Sequence, residues 1–216
     1  QNMKLVAKGH ERVLRARLED ARFFYRSDIK ISLDIRVEKL KGVLFQAKLG
    51  SMYEKTERIE KIAGYLADEI SDDPEIKKRV LRAARLCKAD LVSNIVGEFP
   101  KLQGVMGRIY AMHAGEERNV ALAIEEHYRP AYSGGSLPET LIGAIVGIAD
   151  KIDSICGCFS AGLLPTGASD PYALRRQGIG VIQIMLKKTF SFSLKALIEK
   201  SLLLFEIKNT NEKDNA

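Results

Sequence analysis

Residues 141–159 (LIGAIVGIADKIDSICGCF) are apolar on nearly every side, a pattern a helix sustains at the centre of a bundle. The uninterrupted apolar part, 141–149, is too short to cross a bilayer, so a central buried helix is the reading. A chain built around such a helix needs amphipathic helices to surround it, and the remaining sequence supplies them. Residues 11–24 place Val13, Leu14, Leu18, Ala21 and Phe24 at helical spacing, and Ser32 can cap a second helix through Lys41 with Leu33, Val37 and Leu40 inward. Residues 52–70 carry a stripe of Met52, Ile59, Ile62, Ala63 and Leu66. Asp73 and Pro74 then read as an N-cap and first helical residue, opening a helix over 75–96. Gly97 and Pro100 break it, and Gly104 and Gly107 leave the next segment either loose or tightly packed. Residues 116–128 form a short helix, and Pro130, Gly134, Gly135 and Pro138 mark 129–139 as a loop.

After the central helix, Pro165 and Gly167 punctuate a turn. Asp170 stands where an N-cap belongs and Pro171 at the first position of a helix running to Lys187. Arg175 and Arg176 follow in its first turns, although the N-terminal end of a helix dipole is already positive. A capped loop presenting two arginines is a candidate grip for phosphate or carboxylate; equally, the loop can simply join two helices. Ser193 caps a last helix through Glu206, and 208–216 reads as a polar, frayed tail. Trp is absent and Pro is scarce, no strand pattern competes, and no repeat occurs. The fold class is all-α, a multi-helix bundle.

The formal charge of +6 permits nucleic-acid binding without requiring it. Residues 4–30 concentrate the cations: Lys4, Lys8, Arg12, Arg15, Arg17, Arg22, Arg26 and Lys30 against Glu11, Glu19, Asp20 and Asp28. Cys87, Cys156 and Cys158 form an odd set without zinc or redox spacing, and read as reduced, small apolar residues. No Walker loop or dinucleotide fingerprint occurs, and no Ser or Cys lies beside a histidine as a nucleophile would. With no signal-like or membrane-spanning stretch, a cytoplasmic chain is expected.

The motif PTGASDPYALRR closely resembles the P-T-G-x-x-D-P-F/Y-A-L-R-R signature of the β subunit of bacterial glycyl-tRNA synthetase, the tetrameric α2β2 type. Glu11-Arg-Val-Leu-Arg-Ala-Arg-Leu-Glu-Asp-Ala-Arg-Phe-Phe24 resembles that family's N-E-R-V-L-R-A-R-L-x-D-A-x-F-F. Phe45-Gln-Ala-Lys-Leu-Gly50, Lys55-Thr-Glu-Arg-Ile59, Cys87-Lys-Ala-Asp-Leu91, Gly97-Glu-Phe-Pro-Lys-Leu-Gln-Gly104 and Glu125-Glu-His-Tyr128 follow in the family's order. The resemblance implies a piece of a longer subunit: a helical connector from the preceding domain over 1–50, a degenerate HD-type helical domain over 51–190, and a C-terminal helix with its tail over 191–216.

HD-type domains are metal-dependent phosphohydrolases. They need a His on an early helix, an adjacent His-Asp pair on the next, and a later Asp, closing around ions that activate water. Here the first position falls on 56–58, without an imidazole, and the pair falls on Cys87 and Lys88. A lysine in place of a ligand carboxylate opposes a cation, so no metal is expected. His127, before Tyr128 and a Ser133-Gly-Gly135 loop, and Asp150 are the surviving remnants. They can hydrogen-bond each other, or Asp150 can pair with Lys88, an ammonium replacing a metal.

What the resemblance implies for function is a part of glycine–tRNA ligase without catalytic residues of its own. ATP and Mg2+ would bind on the α subunit, while β contributes binding of tRNA(Gly) and assembly with α, away from any membrane. RNA contacts would fall first to Arg175 and Arg176, then Lys88, Arg108, Arg129 and Lys101. The alternatives are an active HD-type nucleotide phosphohydrolase and a structural spacer that touches no RNA.

Overall fold

The computed structural model describes residues 3–213, apart from the side chains of residue 5 and of residues 206–213. Among the described residues ten α-helices run in order: α1 (Met3–Asp28), α2 (Leu33–Lys39), α3 (Met52–Ile70), α4 (Pro74–Leu86), α5 (Asn94–Glu98), α6 (Val105–His113), α7 (Arg118–Glu126), α8 (Leu141–Ser160), α9 (Leu174–Lys188) and α10 (Leu194–Lys213). The all-α reading holds. The apolar segment at 141 forms α8, buried from Ile142 to Cys158 with Ile155 only partly covered, and α3, α4, α7, α9 and α10 surround it. Gly157 gives α10 its close approach: a Cβ there would lie 2.9 Å from the Phe205 ring.

Local signals set most of the boundaries. Ser51 and Glu54 close a capping box at the start of α3, Asp73 accepts from Glu75 N with Pro74 at the first position of α4, and Ser32 caps α2. Thr140 caps α8, and the Glu126 carboxylate in turn accepts from Thr140 Oγ1 at 2.6 Å and Thr140 N at 3.0 Å. Ser193 accepts from Ala196 N. The cysteines at 87, 156 and 158 are buried and free.

Four expectations need correction. The helix expected over 75–96 ends at Leu86, followed by a 3-10 turn (Ala89–Val92) and the five-residue α5. Lys88 and Asp90 are both buried, and residues two apart on an α-helix face opposite ways, so a continuous helix could not turn both inward. The helix expected from Pro171 starts at Leu174. A turn closed by Ala173 N on Asp170 O intervenes, Ala173 adopts φ 52°, and the Asp170 carboxylate reaches across to Leu174 N and Arg175 N. The last helix continues through the supposedly frayed 208–213, and residues 214–216 lie outside the described residues. A small antiparallel hairpin, β1 (Leu44–Gln46) with β2 (Gly50–Ser51), was not foreseen, being too short to show an alternating pattern. Its function is to deliver the chain into the Ser51 cap.

Two buried carboxylates weld the helices that lack long apolar faces. Asp28, at the end of α1, accepts from Asn94 N, Asn94 Nδ2 and Ile95 N at the start of α5, and from Tyr110 Oη of α6 at 2.7 Å. Asp90 accepts from Gly104 N at 2.6 Å and Gly107 N at 3.1 Å. This decides the glycine question in favour of tight packing: Gly104 has φ 81°, and a Cβ on Gly107 would lie 2.6 Å from Ile124. Removing Asp28 orphans four backbone and side-chain donors together. Asp28→Ala should therefore lower the unfolding free energy by about 3 kcal/mol in urea titration, with Asp28→Asn recovering part of the loss.

Candidate functional site

The polar residues buried around α8 gather on one side of it. Residues three and four apart share a helix face, so Asp150, Asp153 and Ser154 of α8 confront Lys55 and Arg58 of α3. Lys55 Nζ lies 2.9 Å from Asp153 Oδ2, 2.7 Å from Ser154 Oγ and 3.0 Å from Asp150 Oδ1. The last is an ion pair without hydrogen-bond alignment, which leaves that carboxylate oxygen unbonded. Arg58 Nε completes the pairing at 2.6 Å from Asp153 Oδ1. From the break after α4, Lys88 Nζ reaches Asp150 Oδ2 at 2.8 Å and His127 Nε2 at 2.9 Å, and stands 4.2 Å from the centre of the Tyr128 ring.

The tautomer of His127 follows from its surroundings. Nδ1 lies 2.7 Å from Ile124 O and must donate, so Nε2 is free to accept from the Lys88 ammonium. Burial, then the Lys88 charge, holds the imidazole well below its ordinary pKa, and it is neutral. Burial by itself would raise the Asp150 carboxyl, but Lys55 and Lys88 hold it well below the usual carboxylate range. Burial pushes the Cys87 thiol up to about 12. Lys151, the next residue of α8, has no carboxylate partner among the described residues. Its ammonium donates to His127 O at 3.0 Å and Gly147 O at 3.3 Å, and burial lowers it to about 8.

Lys55, Lys88, His127, Asp150, Lys151 and Ser154 floor a cleft of about 340 Å³ that also takes in Phe45, Met52, Pro130, and Arg176 and Gln177 of α9. A divalent ion does not fit the donor set. The space between His127 Nε2 and the Asp150 carboxylate holds an ammonium at hydrogen-bond distances, and a metal ion there would meet its positive charge. The anticipated pairing of Asp150 with Lys88 is the arrangement found, and His127 joins it through Lys88.

The other candidates are scattered. Lys88, an expected RNA contact, is 3% exposed and engaged internally, which takes it off the surface. Arg108 and Arg129 share Glu125, at 2.5 Å and 3.0 Å. Arg175 binds its own loop through Thr166 O at 2.7 Å. Arg176 and Lys101 are exposed and make no side-chain ion pair or hydrogen bond among the described residues. The sequence reading overlooked Lys55, Lys151 and Asp153. For Lys151 and Asp153 the signal available was the charges themselves, placed on a helix otherwise apolar all round, whereas Lys55 lies on the amphipathic α3 and carried none.

Fold and cleft together define an all-α domain with a cation-lined cleft beside its central helix. A profile described as glycyl-tRNA synthetase beta subunit matches residues 1–215. The glycine–tRNA ligase beta subunit of Desulforapulum autotrophicum is 59% identical over 206 residues, 95% of this chain and 30% of that protein. That of Trichlorobacter lovleyi is 57% identical over 210 residues, 97% of this chain and again 30% of the relative. The chain belongs to the glycyl-tRNA synthetase β-subunit family, and it spans under a third of the length of these curated relatives.

Two stability predictions follow from the cleft. Lys88→Ala leaves His127 and Asp150 partly unpaired and should cost about 3 kcal/mol in denaturant titration. Because the Asp150 carboxyl is depressed in the folded state, its stabilisation is present above the unfolded carboxylate range near pH ~4 and is lost as pH falls through the folded value. The acid-unfolding midpoint of Lys88→Ala should accordingly move upward. Lys151 carries the opposite sign: the unfolded chain holds its proton more tightly, so stability gains from this group as pH rises from about 8 toward 10.5. Lys151→Met should be more stable at pH 7 by on the order of 1 kcal/mol and should lack that gain.

Proposed function

We propose that this chain is a non-catalytic helical domain that contributes tRNA binding and subunit assembly to ATP-dependent glycylation of tRNA, ATP and Mg2+ being bound on an α subunit. The observation that carries the RNA reading is the surplus of unpaired exposed cations. Along α1, Lys4, Lys8, Arg12, Arg22 and Arg26 are exposed without a carboxylate partner among the described residues, and only Arg15 pairs, with Glu11. Arg176 and Lys101 add to this set. Charges left unpaired in the free protein are the ones that can neutralise phosphates and release their counterions, whereas Arg108 and Arg129 would first have to leave Glu125. Arg175 serves the reading indirectly, by holding the loop that presents Arg176.

The assembly reading rests on a different feature of α1. Val13, Leu14 and Leu18, expected along one side of a helix, are 59%, 61% and 66% exposed. An apolar stripe uncovered over that length suits contact with a further segment of the β subunit or with the α subunit. The reading as an active phosphohydrolase loses support from the ammonium standing between His127 and Asp150.

Binding of tRNA(Gly) to the chain should weaken steeply between 50 and 200 mM salt. The double variant Arg176→Glu, Lys101→Glu should bind more weakly, with the slope of log affinity against log salt shallower by about 2. Affinity unchanged by salt and by both substitutions would favour the spacer reading.

A further inference from the structure

The side chains lining the cleft are out of electrical balance. Lys55, Lys88, Lys151 and Arg176 face it, against the single carboxylate of Asp150. Arg58 lies behind and pairs with Asp153, which also holds Lys55 at 2.9 Å. The remaining nearby acid, Asp90, turns its bonded oxygen away to the backbone N–H groups of Gly104 and Gly107. Lys55 and Lys88 take up Asp150, and Lys55 reaches Asp153 as well, which leaves Lys151 and Arg176 without an ion pair among the described residues. Lys151 is 5% exposed, and a desolvated ammonium held only by two carbonyl oxygens destabilises the fold that contains it. Such a group makes physical sense where an anion completes the site, because the same low-dielectric surroundings strengthen its attraction for one. The guanidinium of Arg176, with no hydrogen bond or ion pair among the described residues, stands at the rim and offers the planar fork suited to phosphate.

We propose that the cleft is an anion site for a phosphate monoester. Arg176 and Lys151 would donate to the phosphoryl oxygens, while Lys55 and Lys88, fixed on Asp150, supply positive charge that cannot swing away. The apolar rim of Phe45, Met52 and Pro130 suits the organic part of an ester better than a bare ion. The volume, about 340 Å³, is at the small end of ligand pockets, near 300 Å³, and fits one nucleotide rather than a duplex. The bound monoester has two possible sources, a free nucleoside monophosphate or the 5′-phosphate of an RNA strand. The cleft shares Arg176 with the RNA-binding surface argued above, but Lys151 belongs to the cleft alone, and the AMP response of the Lys151→Met variant separates the two.

The test is thermal unfolding of the 216-residue chain at constant ionic strength with AMP, with adenosine, and with a short RNA bearing either a 5′-phosphate or a 5′-hydroxyl. AMP at ten times its dissociation constant should raise the midpoint by about 3 °C, and adenosine should not. Lys151→Met and the exposed Arg176→Ala should each abolish the rise. Response to AMP identifies a free nucleotide as sufficient; response only to the 5′-phosphorylated RNA assigns the site to an RNA end, and both support the proposal. It is overturned if neither phosphorylated probe raises the midpoint, if adenosine matches AMP, or if Arg176→Ala and Lys151→Met respond like the parent chain.

Discussion

The carboxylate of Asp150, held between Lys55 and Lys88, is the contact on which the arrangement of this bundle turns. It joins α8 to α3 on one side and to the break after α4 on the other. An ion pair taken out of water gains little over an apolar replacement, because desolvation offsets most of the attraction. Its effect lies in the alternatives it excludes. Sliding α3 along α8 by one turn would leave Asp150 and Asp153 facing apolar side chains, each an unpaired buried charge costing several kcal/mol. Apolar packing alone would tolerate such a slip far better, since α8 is apolar on nearly every side and offers no unique register.

The same contact explains why the chain leaves helical geometry after Leu86. Lys88 must point at Asp150 while Asp90 points at the N-terminus of α6. The 3-10 turn resolves that conflict, and Gly104 and Gly107 let the backbone come close enough to bond Asp90. The Cys87-Lys-Ala-Asp90 stretch thus places two opposite charges in two polar niches. Tyr128 closes the space between them, its ring beneath the Lys88 ammonium and its hydroxyl oxygen accepting from Gln103 Nε2 at 2.7 Å.

Much of this was legible because it is local. An N-cap serine, an Asp-Pro start and a helix apolar all round each depend on residues within a turn of one another, and the structure honours them at Ser32, Asp73 and 141. The break after Leu86 was illegible because its cause is distant: Asp150, Gly104 and Gly107 decide it. The Asp170-Pro171 signal was misread for a related reason. An aspartate can cap a helix directly or across an intervening turn, and the choice depends on Ala173 accepting a left-handed conformation. The exposure of Val13, Leu14 and Leu18 is a different failure. Periodicity reports that a face is apolar and is silent about whether its cover lies within the same chain. For the cleft, the pairing of Lys88 with Asp150 could be anticipated because a missing ligand and a surviving carboxylate had to be reconciled. Lys55 could not, since a lysine on an amphipathic helix carries no mark of burial, whereas Lys151 was marked by the apolar helix around it.

The consecutive arginines at 175 and 176 show how adjacent positions acquire separate tasks. Successive residues on a helix point about 100° apart, so the two cannot serve one ligand from the same face. Arg175 turns back to Thr166 O, and with the Asp170 carboxylate on Leu174 N and Arg175 N it closes the loop on the first turn of α9. Arg176 is thereby carried to the rim of the cleft on a backbone that is already fixed. A guanidinium placed by a locked loop loses less conformational entropy on binding than one on a free strand. The loop is in this sense the positioning device, and its two arginines are respectively its latch and the charge it presents.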